Sequence, residues 1–216
     1  VVLVGLVALT SRATAQTPVA IVEEVSGKVT GAEFMDYVTP KTVIKIGAGG
    51  SIVLSYMKSC MRETISGIGT VIVGTEESVV HLADVKAEKT DCDPKQAHAT
   101  TRETSEVAAT VLRSMKGTAP PSKAQLTLYG TAPLVEAKGR GTLTLQRLDA
   151  DGERQQIDLN GTQNKGKFYD FAANGRALTP GGTYAATFNA STVVFRVDPQ
   201  AKPGATPIIG RLLRMP

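Results

Sequence analysis

Apolar and polar residues alternate with a period of two along most of this chain, and short turn signals break the alternation every few residues. Ala20-Ile21-Val22-Glu23-Glu24-Val25 predicts a strand, with a turn at Ser26-Gly27. Thr42-Val43-Ile44-Lys45-Ile46 predicts another, ended by Gly47-Ala48-Gly49-Gly50, and Ser51-Ile52-Val53-Leu54-Ser55-Tyr56 reads as the strand that returns from it. Thr70-Val71-Ile72-Val73 and Val79-Val80-His81-Leu82 continue the series. β-Branched runs bounded by glycine clusters at such intervals predict an all-β unit.

The pattern breaks at Cys92-Asp93-Pro94. Residues 95–116 are rich in Ala, Thr, Glu and Arg, and Val107, Ala108, Val111, Leu112 and Met115 fall at helical spacing. Asp93 can cap such a helix with Pro94 at its first position, Gly117 can end it, and Pro120-Pro121 blocks its extension. β periodicity resumes at Gln125-Leu126-Thr127-Leu128-Tyr129. It continues through residues 141–148, a hairpin turn at Asp151-Gly152, a strand over 154–159, turns at Asn160-Gly161 and Asn174-Gly175, and strands over 183–188 and 192–197. The tail Pro207-Ile208-Ile209-Gly210-Arg211-Leu212-Leu213 predicts a last strand. The resulting expectation is a mainly β protein. Residues 16–93 form one β domain, 94–122 a helical linker, and 123–216 an immunoglobulin-like β-sandwich without the Cys-Trp-Cys hallmark of true immunoglobulin domains.

Residues 1–15 carry an apolar run followed by Ala13-Thr14-Ala15, a small-x-small cleavage pattern, and are expected to be an export signal truncated at its start. Residues 1–9 alone are too short to span a bilayer; an uncleaved signal anchor is the competing reading, but Ala13 and Ala15 fit the protease and Arg12 interrupts the apolar run, so cleavage and no stable span in the mature chain are expected. Export changes the meaning of Cys60 and Cys92. In an oxidising compartment two cysteines are expected to bridge, closing a loop of about 31 residues worth about 3–4 kcal/mol.

The 216 residues include no Trp, and 24 Lys and Arg stand against 20 Asp and Glu for a net charge of +4. Mean hydropathy is −0.03. This is a globular composition with a thin aliphatic core. The basic residues form no block on one face or helix, which argues against a nucleic-acid partner.

One stretch carries a resemblance. Val25-Ser26-Gly27-Lys28-Val29, then Val43-Ile44-Lys45-Ile46-Gly47-Ala48-Gly49-Gly50-Ser51-Ile52-Val53-Leu54, and further Ser59-Cys60-Met61-Arg62-Glu63-Thr64-Ile65 and Gly69-Thr70-Val71-Ile72-Val73-Gly74 resemble the FecR-type periplasmic β domain over residues 22–80. The resemblance implies a periplasmic or secreted bacterial protein that contacts an envelope partner. It also implies an alternative role, a sensor or regulator component of iron-uptake-like signal transduction. Family members with that role carry a membrane helix and a cytoplasmic tail before the domain.

Candidate chemistry is sparse. His81 and His98, even with Cys92 and Asp93, lack the four-ligand spacing of a structural zinc site, and His81 is expected to face solvent from a strand. No Gly-x-Ser-x-Gly elbow accompanies the histidines. Gly47-Ala48-Gly49-Gly50-Ser51 precedes a strand rather than a helix, so a hairpin turn is expected there in place of a phosphate loop. Adjacent residues on a strand point to opposite faces, so the doublets Glu23-Glu24 and Glu76-Glu77 do not make a glycosidase pair and are expected at solvated turns and edges. Asn160-Gly161-Thr162 and Asn189-Ala190-Ser191 match the glycosylation triplet by chance. Tyr37, Tyr56 and Tyr129 fit either a binding face or ordinary packing. The expectation is therefore a non-enzymatic exported envelope protein with no catalytic, cofactor or metal site. Its partner would be an envelope protein or glycan, and its one covalent feature a Cys60–Cys92 disulfide.

Overall fold

The computed structural model describes residues 17–95, 123–205 and 207–215. The expected export signal, His98 and all of the expected linker helix beyond Lys95 lie outside these residues. Nine strands precede the linker: β1 Ala20–Ser26, β2 Val29–Thr30, β3 Tyr37–Val38, β4 Val43–Ile46, β5 Ser51–Tyr56, β6 Met61–Ser66, β7 Gly69–Val73, β8 Ser78–His81 and β9 Asp84–Lys89. They form two sheets, ordered β3-β1-β5-β6-β9 and β2-β4-β7-β8. Ala20, Val22, Ile44, Ile52, Leu54, Ile65 and Val71 fill the space between them.

The chain changes sheet six times, at β1–β2, β2–β3, β3–β4, β4–β5, β6–β7 and β8–β9. The glycines at Gly47–Gly50 therefore form a corner between sheets, and the hairpin expected from the sequence is not there. β4 pairs with β2 and β7, while β5 pairs with β1 and β6. Gly27 shows why small residues stand here. It has φ 64°, and a Cβ on it would lie 2.2 Å from the carbonyl oxygen of Gly49, so two corners meet backbone to backbone.

The second unit contains β10 Leu126–Gly130, β11 Leu134–Glu136, β12 Arg140–Arg147, β13 Arg154–Asn160, β14 Phe168–Asp170, β15 Thr183–Phe188, β16 Ser191–Lys202 and β17 Leu212–Arg214. A five-stranded sheet, β10-β16-β15-β12-β13, packs on a three-stranded one, β14-β11-β17. Leu128, Val135, Leu143, Phe171, Tyr184, Phe195 and Leu213 lie in the core between them. The predicted tail strand is only half present. Ile208–Gly210 form a 3-10 turn, and the strand begins at Leu212.

The two units share a buried interface. β5 is apolar at consecutive positions because both of its faces are covered: Ile52 and Leu54 point into the first core, while Val53 and Ser55 lie on the other face. Ile21 and Met35 from the first unit pack against Leu134, Phe168, Ile208 and Leu212 from the second. The Tyr37 hydroxyl donates to Glu136 Oε2 at 2.8 Å, and Arg214 Nε donates to the same oxygen at 3.2 Å. Arg211, only 2% exposed, forks onto both oxygens of Asp170 at 2.8 and 3.1 Å and fixes the turn that delivers Ile208 and Ile209 to the first unit.

Candidate functional site: an open sheet edge

Cys60 and Cys92 are joined, with Cα atoms 5.6 Å apart. The bridge sits at the end of the β6–β9 ladder and is buried with Met57 and with Ile209 from the second unit. Asp93 follows at once. Its Oδ1 accepts the Lys95 N–H at 3.0 Å, and its Oδ2 accepts the Thr127 N–H of β10 at 2.9 Å, so one side chain holds both ends of the linker. The sequence flagged only the capping half of this role.

Among the described residues β9 is an edge strand. All six of its residues are exposed. Among the described residues it pairs with β6 alone, from Met61 opposite Lys89 to Ser66 opposite Asp84. The phase of the ladder is set by the Thr90 N–H, which donates to the Cys60 carbonyl at 2.9 Å. Antiparallel pairs alternate between bonded and non-bonded. Asp84, Lys86 and Glu88 therefore bond to β6, and the N–H and C=O groups of Val85, Ala87 and Lys89 point away from the sheet.

The start of this edge is apolar. Leu82 is 95% exposed, Ile68 64% and Val85 50%, all at the corner where the chain changes sheet. Across the outer face of the neighbouring sheet, Val43, Ile72 and Val79 stand in register, and Val43 and Val79 are about half exposed. The far end of β9 opens into a notch of about 220 Å³ lined by Glu88, Lys89, Tyr129, Lys202 and Arg211. Such edges are templates for a further strand, and natural proteins cover or blunt them when they are not used.

Under β9, Arg62 gathers three carboxylates: Glu23 at 2.9 Å, Glu88 at 3.1 Å and Glu24 at 3.4 Å. Burial works against the guanidinium charge, but the three partners hold its pKa above the ordinary arginine value. Glu23 is 1% exposed, and its second oxygen accepts the Ile209 N–H at 3.2 Å. This corrects the expectation of a solvated doublet for Glu23, while Glu24 is exposed as expected. A β-bulge between Val22 and Glu24 inserts Glu23 as an extra residue, which breaks the strict alternation and turns both carboxylates toward Arg62.

The other candidates from the sequence fall elsewhere. His81 is exposed on β8, as expected. Glu76 meets Lys58 at the surface, 2.7 Å away. Tyr56 is fully buried and hydrogen-bonds Ser78, and burial pushes its phenol up to about 12. Tyr37 is packed between Phe168 and the cations of Lys167 and Arg214. Tyr129 alone of the three lines an open site. Among the described residues no group of His, Cys, Asp and Glu is arranged to hold a metal, and no helix is long and apolar enough to cross a membrane. Comparison with protein-family models, curated proteins and solved structures returns no match.

Proposed function

We propose that this chain is a non-enzymatic envelope module that recruits a protein partner by adding one of the partner's extended segments to β9. The observation that carries this reading is the edge itself. Three residues aim their backbone groups outward, beside an apolar corner in which Leu82 is 95% exposed. In strand addition the main-chain bonds supply affinity and the alternating side-chain positions supply specificity. Here an incoming strand would set apolar residues against Leu82 and Val85 and polar ones toward Lys89 and the Tyr129 notch.

The buried disulfide supports export to an oxidising compartment, because such bridges persist there and are rare in the cytosol. The FecR-like residues of the first unit support the same envelope setting. The immunoglobulin-like reading of the second unit makes it a rigid mount, held through Ile208, Ile209 and Leu212.

A photo-crosslinking amino acid placed at Lys86, whose side chain is exposed, tests the proposal in the native envelope. The expected result is a discrete adduct with one protein, and none from the same probe at exposed Gln200 on the second unit. No adduct at Lys86, or equal adducts at both positions, overturns the proposal.

A further inference from the structure

At the opposite edge of the same sheet, beside β3, the two units enclose a second cleft of about 510 Å³. This lies within the range of about 300–1,000 Å³ typical of small-molecule sites. One wall is the loop carrying Phe34 and Met35, and the other is the end of β13, the turn after it, and β14. We propose that this cleft binds a short segment of a neutral oligosaccharide. The proposal is separate from the β9 edge and stands without it.

The lining has the chemistry that sugars require. Phe34 remains 40% exposed on one wall. Tyr169 lies on the other, oriented edge-on against Phe171 with ring centroids 5.6 Å apart. Aromatic faces of this kind receive the C–H faces of sugar rings. Between them stand amides and a carboxylate whose inner atoms are already engaged. Asp158 Oδ1 accepts the Thr142 hydroxyl at 2.8 Å, Asn160 Oδ1 accepts the Thr162 N–H at 2.9 Å and its hydroxyl at 2.6 Å, and Asn174 Nδ2 donates to the Asp170 carbonyl at 2.7 Å. The second polar atom of each has no partner among the described residues. Fixed side chains offering one remaining donor or acceptor each suit hydroxyl groups, which donate and accept at once.

Gln163 stiffens the lining: its Nε2 donates to the Ala137 and Gly139 carbonyls, which ties the turn after β13 to the segment between β11 and β12. A purely apolar ligand would desolvate all these groups without return. For an anion, no lysine or arginine lines the cleft among the described residues, and Lys165 beside it is committed to Asp36 at 2.6 Å and Glu33 at 3.3 Å.

The walls are also held in place. The Lys165 ion pairs tie the second unit to the Phe34 loop across the mouth of the cleft. Met35 and Lys165 both adopt left-handed backbone conformations, with φ 62° and 50°. Met35 is 2% exposed in the interface, and this conformation buries it while leaving its neighbour Phe34 facing outward. Strain of this sort persists where the surroundings over-determine it, and it clusters at ligand sites.

The test is calorimetric titration and saturation-transfer NMR with cellotriose, chitotriose and maltotriose, with trigalacturonate as the acidic control. At least one neutral trisaccharide should bind saturably. Asn164 also lines the cleft, and its side-chain amide makes no hydrogen bond among the described residues; Phe34→Ala and, separately, Asn164→Ala should each weaken binding about tenfold while the melting temperature and the Lys86 crosslink stay unchanged. Three outcomes overturn the proposal: no binding by any neutral trisaccharide, binding indifferent to both variants, or tighter binding of the acidic control.

Discussion

Removing the Cys60–Cys92 bridge should cost this protein much of its stability, and the structure sets the size of the loss. The bridge spans 32 positions. The loop-closure relation, −2.1 − 1.5R ln n, then gives about 12 cal/mol/K, or about 3.7 kcal/mol at 25 °C. Both cysteines are buried against Met57 and Ile209, so replacing them with alanine also leaves a small void, worth about 1 kcal/mol. The Cys60→Ala/Cys92→Ala double variant should therefore lose about 4–5 kcal/mol, a large part of the roughly 5–15 kcal/mol available to a folded domain. A second variant sharpens the test. Cys60 has φ 56°, a left-handed conformation that costs an L-residue roughly 1–2 kcal/mol and glycine far less. Cys60→Gly/Cys92→Ala should thus recover roughly 1 kcal/mol of the loss. Urea unfolding followed by circular dichroism reads both values. The denaturant slope should rise as well, because the unfolded chain is no longer looped. A loss below about 1 kcal/mol, or a glycine variant less stable than the alanine one, would refute the reasoning.

Glu23→Ala leaves Arg62 and the Ile209 N–H without their buried partner and should destabilise by about 3–5 kcal/mol in the same assay. Alkaline pH should also destabilise the fold. Burial, then the charge of Glu136, pushes the Tyr37 phenol well above its ordinary value, and burial takes Tyr56 up to about 12. Unfolded phenols ionise near about pH 10 while these two keep their protons in the fold, so the native state binds more protons and stability falls as pH rises. Melting temperatures should hold up to about pH 9.5 and drop beyond about pH 10, with a shallower drop in Tyr37→Phe; a flat profile to about pH 11 would contradict this. On β9, Lys86→Pro removes a bond to β6 and should lower the melting temperature, whereas Ala87→Pro, whose N–H faces outward, should leave it nearly unchanged.

Where burial follows hydrophobicity, the sequence is a good guide. The runs Ser51–Tyr56 and Thr183–Phe188 coincide with β5 and β15, and the Asp151-Gly152 turn links β12 to β13 with Gly152 at φ 96°. Where charge pairing or backbone bonding replaces hydrophobicity, it is not. β6 buries Glu63 and most of Arg62, so Met61–Ser66 carries no clean apolar alternation. β9 is held mainly by its backbone ladder with β6, and Asp-Val-Lys-Ala-Glu-Lys looks like any polar surface segment. Glu23 reads as solvated in the sequence because the period-two rule gives no sign of the bulge that buries it. The disulfide partners were legible from their number and from the export-signal pattern expected over residues 1–15. That the second unit closes over them through Ile209 was not, since Ile208-Ile209 resembles the start of a strand until Arg211 and Asp170 bend it into a turn.

Co-purification from native envelope with the Ala87→Pro protein bears most directly on the proposed role of β9. That substitution deletes one outward N–H and leaves every bond to β6 in place. The account predicts a partner that is retained by the wild-type chain and lost, at least about tenfold, with Ala87→Pro at an unaltered melting temperature. Equal recovery of the partner by both proteins would contradict it.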